Sequence, residues 1–401
     1  MASLVESPSA NRIHIGVFGK TNAGKSSLIN AFANQKISIV STVSGTTTDP
    51  VRKSMEIYPL GPCVLIDTAG FDDSTVLAEK RSEKTRIVES ESDIAIIVIA
   101  ADEHIDNLSL EIKLFNEFKE NNTPVLFVIN KIDLDTENGL KLEKYIKEKL
   151  SDKVISVSCD NGSGIENIKK ELSLIAPDEE KRFITGNIVG EDDIVLLVMP
   201  QDIQAPKGRL ILPQVQTIRE LLDKKCLVLS VTTDKLISML NVLNKTPKLI
   251  ITDSQAFDFV YENKPEASML TSFSVLFASL KGDLDYYIEG AKSIEKLNEN
   301  SKVLIAECCT HAPLSEDIGR EKIPALLRKR IGNELKIDVV SGTDFPKNLD
   351  EYDLIIQCGG CMFNRKYVMS RILQAKESKV AMSNYGIVIA YLKGILDKIT
   401  T

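Results

Sequence analysis

The sequence predicts an α/β protein made of three α/β units in tandem, and three observations predict it. Short β-branched apolar runs recur along the 401 residues, near-continuous rather than alternating, as strands buried on both faces of a parallel sheet require. Stretches of helical apolar periodicity separate those runs. The chain is also too long for a single core, and at 43% hydrophobic residues it can build several.

In the first unit the expected strands are Ile13–Phe18, Cys63–Ile66, Ile94–Ala100, Val125–Ile129 and Val154–Val157. Leu142, Tyr145, Ile146 and Leu150 form one helical stripe, and Ile165, Ile168, Leu172 and Ile175 another. This alternation reads as a doubly wound, mostly parallel sheet over residues 1–177, closed by Pro177 and an acidic and basic linker, Asp178 to Arg182. A second unit, 183–264, has expected strands Ile194–Met199, Cys226–Val231 and Lys248–Thr252, with helices near Pro213–Asp223 and Thr233–Val242. A third, 265–401, has Lys302–Ala306, Leu335–Val340, Asp353–Gln357 and Lys379–Met382. No fixed-period internal repeat is expected.

Charge and composition narrow the function. Lys and Arg number 49 against 57 Asp and Glu, a net charge of -8, which argues against nucleic acid or an anionic membrane as a partner. No apolar run is long enough to span a bilayer, and Met1–Asn11 lacks the order of a signal peptide, so a cytoplasmic location is expected. In a reducing compartment the seven cysteines are not structural disulfides. Cys63, Cys159 and Cys226 sit in apolar surroundings and read as small core residues, whereas Cys308, Cys309, Cys358 and Cys361 gather near the end.

The first unit carries an ordered set of motifs. Gly19-Lys20-Thr21-Asn22-Ala23-Gly24-Lys25-Ser26 fits G-x-x-x-x-G-K-[ST] between a strand and an apolar helical stretch. There the N–H groups of Asn22, Ala23, Gly24, Lys25, Ser26 and Ser27 curl around phosphates at a helix N-terminus, Lys25 supplies charge, and the Ser26 hydroxyl suits Mg²⁺. Asp67-Thr68-Ala69-Gly70 follows the second expected strand, placing Asp67 to hold the magnesium through water and the Gly70 N–H toward a γ-phosphate. Asn130-Lys131-Ile132-Asp133 follows another strand. The Asp133 carboxylate can accept from guanine N1–H and its amino group, a donor pair adenine lacks, and Lys131 can cover the base. Ser158 and Cys159 close the base pocket from the other side.

These elements resemble a Ras-like P-loop GTPase domain, in detail the MnmE/Era branch of the translation-factor-related GTPases. The resemblance implies GTP/GDP as ligand, Mg²⁺, and hydrolysis to GDP and phosphate. Gly45-Thr46-Thr47-Thr48-Asp49 matches that branch's G-T-T-x-D segment and makes Thr47 the magnesium-binding threonine. Phe71 stands where Ras-like proteins place a water-orienting glutamine, so hydrolysis cannot use that side chain. Asn22 matches an asparagine that binds K⁺ in this branch, which implies slow, potassium-stimulated turnover.

Cys309-Thr310-His311 follows the strand Lys302–Ala306, and Cys358-Gly359-Gly360-Cys361 follows Asp353–Gln357. If the strands are parallel neighbours, these side chains converge at their carboxyl ends, where α/β folds place ligands. The residues suit a 4Fe–4S cluster on Cys309, Cys358 and Cys361, a Cys₃His zinc site that adds His311, or two unrelated buried thiols. Cys308, adjacent to Cys309, is expected to point elsewhere as a core residue.

From Cys309-Thr310-His311 through Glu316-Asp317-Ile318-Gly319-Arg320-Glu321-Lys322-Ile323-Pro324, and in Asp344-Phe345-Pro346 and Cys358 to Arg365, the chain resembles the FeFe-hydrogenase maturation GTPases, the HydF family. Ala205 to Gln216 and Ile251 to Phe257 resemble segments of the same family's middle domain. The resemblance implies a scaffold and carrier. It would bind a 4Fe–4S cluster on 265–401, dimerise through 183–264, and pass a two-iron precursor made with the radical-SAM maturases to apo-FeFe-hydrogenase. Gln357 occupies the place of the family's second cluster histidine, which leaves the fourth iron position to His311, Glu307, Glu316 or solvent. The rival readings are a ribosome- or tRNA-associated GTPase with a zinc-stabilised tail, and a zinc-bearing regulatory switch.

Overall fold

A computed structural model describes residues 9–33, 41–43, 50–68, 70, 78–177, 182–200, 210–308 and 317–400. They fall into two compact units, Met1–Glu179 and Glu180–Thr401.

The first unit runs β1 (Ile13–Phe18), α1 (Lys25–Ala33), β2 (Ser41–Val43), β3 (Val51–Ile57), β4 (Gly61–Asp67), α2 (Ala78–Glu91), β5 (Ile94–Ala100), α3 (Ser109–Glu120), β6 (Val125–Asn130), α4 (Thr136–Lys149), β7 (Val154–Ser156) and α5 (Ile165–Ile175). The sheet order is β2-β3-β4-β1-β5-β6-β7, with β2, β3 and β4 antiparallel and every other pairing parallel. This is the Ras-like arrangement expected above. Strands β5 and β6 are buried almost throughout, which explains their unbroken apolar runs. Strand β3 gives no such run. It carries Arg52, Lys53, Ser54 and Glu56, and only Met55 and Ile57 are buried, as suits an antiparallel strand wetted on one face.

The second unit contains two sheets. The first is built from β8 (Ile194–Val198), α6 (Leu212–Asp223), β9 (Leu227–Val231), α7 (Leu236–Val242), β10 (Leu249–Thr252), α8 (Phe257–Asn263), β11 (Met269–Ser272) and α9 (Phe273–Lys281). After α10 (Leu284–Lys292) the second is built from β12 (Lys302–Ala306), α11 (Ile323–Ile331), β13 (Lys336–Val340), β14 (Leu354–Gln357), α12 (Arg365–Glu377), β15 (Ala381–Asn384) and α13 (Tyr385–Leu392). The fourth strand of the first sheet, β11, pairs with β10 and lies beyond residue 264, where the second unit was expected to end. Its four residues are too few to show a period. One core joins the sheets: Leu196, Val198 and Ile250 share a buried cluster with Leu304, Ile355 and Met382.

The two sheets repeat one another in topology, at no fixed sequence period. Each is fully parallel, and reading β9-β8-β10-β11 against β13-β12-β14-β15 gives the same strand order. The last strand of each ends in a residue that caps the helix after it. Ser272 accepts from the Val275 N–H, and Asn384 accepts from those of Gly386 and Ile387. Aligned on these caps, Phe273 to Lys281-Gly282 matches Tyr385 to Lys393-Gly394, both ending Leu-Lys-Gly. Gly208-Arg209-Leu210-Ile211-Leu212-Pro213 matches Gly319-Arg320-Glu321-Lys322-Ile323-Pro324 in sequence, each ending with a proline in a helix's first turn. The period exceeds a hundred residues and the loops differ in length, so identity survives only where geometry demands it.

Candidate functional site

Two sites form at the carboxyl ends of parallel strands, one in each compact unit. In the first, the loop after β1 carries the phosphate-binding motif. Lys25 is 7% exposed, and its ammonium donates to the Gly19 and Lys20 carbonyls at 2.9 and 2.8 Å, folded back across the loop it serves. The Ser26 hydroxyl donates to Asp67 Oδ2 at 2.6 Å, so the two groups expected at magnesium already face each other. Asp67 Oδ1 is buried without a partner, and burial raises the carboxyl above its ordinary value despite Ser26 and Lys25. An orphaned carboxylate oxygen beside a serine hydroxyl fits a divalent cation with its water shell.

The motif loop is strapped to the base-binding end of the sheet. Asn130, 2% exposed at the end of β6, donates to the Ala23 carbonyl at 3.1 Å and accepts from the Cys159 N–H at 3.1 Å. Gly24 has φ +96°, and a Cβ there would stand 2.1 Å from Asn130 Nδ2, so that position tolerates no side chain. Asn22 (φ 63°) and Lys131 (φ 64°) hold left-handed backbones. Ser158 is buried, its hydroxyl accepting from the Asn161 N–H, while Asp133 is exposed at the mouth. Gly70 packs on Thr21 of the motif loop. Thr47 and Phe71 lie outside the described residues. Burial pushes the Cys63 thiol up to about 12 and Cys159 up to about 11, as inert core thiols require.

In the second site β12 and β14 are parallel neighbours, Ala306 opposite Gln357, so Glu307, Cys308 and Cys358 leave one sheet edge together. The Cys308 N–H donates to Cys358 Sγ at 3.1 Å. Cys308 is buried, as expected of a core residue, and its sulfur faces the Gly360 turn. The reason is register: the β12–β14 ladder brings its backbone against Cys358. The Cys308 thiol, then the Gly360 and Cys308 N–H groups, hold the Cys358 thiol below its ordinary value against burial, while Cys308 is pushed well above its own. Gly360, φ +62°, makes the turn between Cys358 and Cys361.

Glu307 is committed elsewhere. Its Oε2 accepts from Arg320 Nε and Nη2 at 3.1 and 3.0 Å and from Ser341 at 3.2 Å, which leaves it ill suited to iron. Gln357 is 1% exposed with its amide oxygen unpartnered, and the Tyr385 hydroxyl is likewise buried and unpartnered. These orphaned groups stand beside a thiol held below its ordinary value, and ligation of a soft metal by that sulfur would fit the set. Among the described residues no three His, Cys, Asp or Glu side chains are grouped to hold a metal ion; Cys309, His311 and Glu316 lie outside them. A cavity of about 610 Å³ among Ile294–Asn300, Arg330 and Ile331 touches neither site.

Sequence reading missed two residues here. Lys281, at the end of α9, is 4% exposed and donates to the carbonyls of Gly360, Cys361 and Phe363. Arg371, on α12, is 2% exposed and stacked among Phe345, Phe363 and Tyr367. The repeated Leu-Lys-Gly was the available signal for the first; nothing in the sequence marked the second.

Comparison with known families follows this division. Residues 14–131 match the family described as 50S ribosome-binding GTPase, 184–282 the hydrogen maturase F dimerization domain, and 285–401 its tetramerization domain. The chain belongs to the hydrogen maturase F family. Its GTPase part is 34% identical to GTPase Der of Campylobacter hominis over 163 residues, 41% of this chain and 34% of that protein. It is 33% identical to the tRNA modification GTPase MnmE of Aquifex aeolicus over 161 residues, 40% of this chain and 34% of that one. The chain thus spans about a third of the length of these relatives. Solved structures similar to it include the G domain of Thermotoga maritima FeoB (TM-score 0.34, 21% identity, 42% of this chain, 100% of that one). Another is a point variant of Aquifex aeolicus Era bound to GDP·AlF₄⁻ (TM-score 0.36, 19% identity, 64% of this chain, 99% of that one). The family's dimerization model reaches residue 282 and so takes in β11 and α9, as the sheet does. Among the described residues no helix is long and apolar enough to cross a membrane.

Proposed function

We propose that this chain is a GTP-hydrolysing switch joined to an iron–sulfur carrier that serves the maturation of FeFe-hydrogenase. The observation that carries the reading is the thiol pair Cys358 and Cys361, turned on Gly360 at a sheet edge, with Cys358 stabilised by three donors, in a chain of this family. Cys309 is the third cluster ligand in this reading, and His311 stands near. With Glu307 held by Arg320 and Ser341, the fourth iron position falls to His311, Glu316 or solvent. A 4Fe–4S cluster held by Cys309, Cys358 and Cys361 would supply an exchangeable iron site, the chemistry a carrier of a two-iron precursor needs.

In the first unit Lys25 swings from its carbonyls to the β- and γ-phosphates, Ser26, Thr47 and Asp67 hold magnesium, and the Gly70 N–H meets the γ-phosphate. Magnesium supplies charge neutralisation as the phosphoryl group leaves. Asp133 reads guanine, with Lys131, Ser158 and Cys159 around the base. Asn22 is the K⁺ ligand, and turnover is slow and potassium-stimulated because no glutamine orients water. The chain works as a cytoplasmic homodimer through the second domain, with the radical-SAM maturases and apo-FeFe-hydrogenase as partners. GTP-dependent ordering of the segments around 43–51 and 70–85 gates those contacts.

Anaerobic purification followed by reconstitution with iron and sulfide tests the carrier half. A brown protein with about four iron and four sulfide per chain supports it; colourless protein that takes up zinc instead defeats it. Equal hydrolysis rates in sodium and potassium buffers would remove the role given to Asn22.

A further inference from the structure

The cysteine loop is held from outside its own sheet. Lys281 ends α9, the last helix of the first sheet, and its ammonium donates to Gly360 O at 3.1 Å, Cys361 O at 3.3 Å and Phe363 O at 2.8 Å. Three acceptors match the three donors of an ammonium, while burial pulls the group below its ordinary value and the neighbouring cysteines push it back up. The lock is reciprocal: Arg365 Nη1, at the start of α12, returns to the Leu280 and Gly282 carbonyls at the end of α9.

The internal repeat shows what is unusual about this lysine. Its counterpart, Lys393, directly follows α13 and reaches back across the same interface to the first turn of α8, the helix after β10, where it meets Asp258 Oδ2 at 2.6 Å. Asp258 lies as far beyond β10 as Phe363 lies beyond β14. On the side without cysteines, then, the lysine finds a carboxylate. On the cysteine side it finds only carbonyls, and no salt bridge to it exists among the described residues.

A second buried cation stands across Phe363. The Arg371 guanidinium lies over the Phe345, Phe363 and Tyr367 rings at 4.7, 5.0 and 4.9 Å and donates through Nη2 to Gly342 O at 2.6 Å. Its Nε and Nη1 are buried without partners, and it has no carboxylate among the described residues. Two buried cations without counter-ions are costly unless a third party brings negative charge. A cubane cluster on thiolates is anionic and gains another charge on reduction.

We propose that Lys281 is the positioning residue of the Cys358–Cys361 loop and that, with Arg371, it supplies the positive charge that balances a thiolate-held cluster. Only the second half rests on the carrier reading above. The test uses the full chain with Lys281→Met, Lys281→Gln, Arg371→Met and the control Lys393→Met, each checked for folding by thermal unfolding. In cluster-free protein, Lys281→Met is expected to speed deuterium uptake across residues 358–364 about tenfold, through loss of three charged hydrogen bonds, while Lys393→Met leaves it unchanged. In reconstituted protein, the reduced-to-oxidised ratio at fixed potential, read by EPR, is expected to fall about tenfold for Lys281→Met, a shift of about 59 mV for one electron. Arg371→Met shifts it the same way. Lys281→Gln, which keeps a donor and drops the charge, protects the loop but retains the redox shift. Unchanged uptake in Lys281→Met overturns the positioning role, and unchanged potential in both Lys281 variants and Arg371→Met overturns the charge role. If the unaltered protein takes up no cluster, the carrier reading and the charge role fail together, while the deuterium result still decides the positioning role.

Discussion

Replacing Asn130 by Ala should loosen the nucleotide site, because this side chain, one of the residues expected around the nucleotide, braces the phosphate loop against the base pocket. The side chain is almost wholly buried and ties two loops, donating to Ala23 O in the phosphate loop and accepting from Cys159 N–H beside the base pocket, both at 3.1 Å. Each bond is worth about 1 kcal/mol net, and the orphaned Cys159 N–H adds about another 1 kcal/mol where water cannot reach it. If two-thirds of that, about 2 kcal/mol, is felt by the bound state, the Kd for GDP rises about thirtyfold. Titration with a fluorescent GDP analogue at fixed magnesium reads the change. Asn161→Ala, which removes only an exposed local bond to the Ser163 N–H, serves as control. A Kd within about threefold of the unaltered protein, with unchanged thermal unfolding, would show that the strap does not organise the site.

Asp133→Asn should weaken GTP binding and improve binding of XTP, whose extra carbonyl meets the new amide; parallel competition titrations with both nucleotides check this, and unchanged preference removes Asp133 from the base pocket. Glu89→Gln should flatten the pH dependence of the first unit's stability. Burial, then Glu117, raises Glu89 to about 7, so the folded state holds the proton, and stability falls as pH rises from the ordinary carboxyl value to about 7. Above that the substitution should gain about 2 kcal/mol, discounted for partial solvent screening, read by urea unfolding at about pH 5 and about pH 8. Cys358→Ala should abolish iron uptake on reconstitution, whereas Cys226→Ala, a buried thiol raised by burial, should leave it intact; equal iron content in the two variants would refute the assignment.

The motifs of the first unit could be read because each is local: a few residues at a strand end, with spacing set by one turn. The buried strands β5 and β6 were equally legible, since both faces of a central parallel strand are apolar. Strands β3 and β11 were not. The first is half wet, and the second is a four-residue strand whose identity comes from lying beside β10. The burial of Cys308 was legible, but its contact with Cys358 was not, because that depends on the ladder between β12 and β14.

By itself the sequence determined which residue types stand at both candidate sites: a glycine-rich loop ending in Lys-Ser, an Asn-Lys-x-Asp run, and thiols around a glycine turn. Those choices reside in residue type and short spacing. The tertiary structure decided what surrounds them. Two sheets with matching strand orders share one core, and that packing carries Lys281 to a loop nearly eighty positions away in the chain. Arg371 is buried among aromatic rings drawn from three segments. Long-range placement of charge is a property of packing, because no local pattern records which distant backbone carbonyls a lysine will meet.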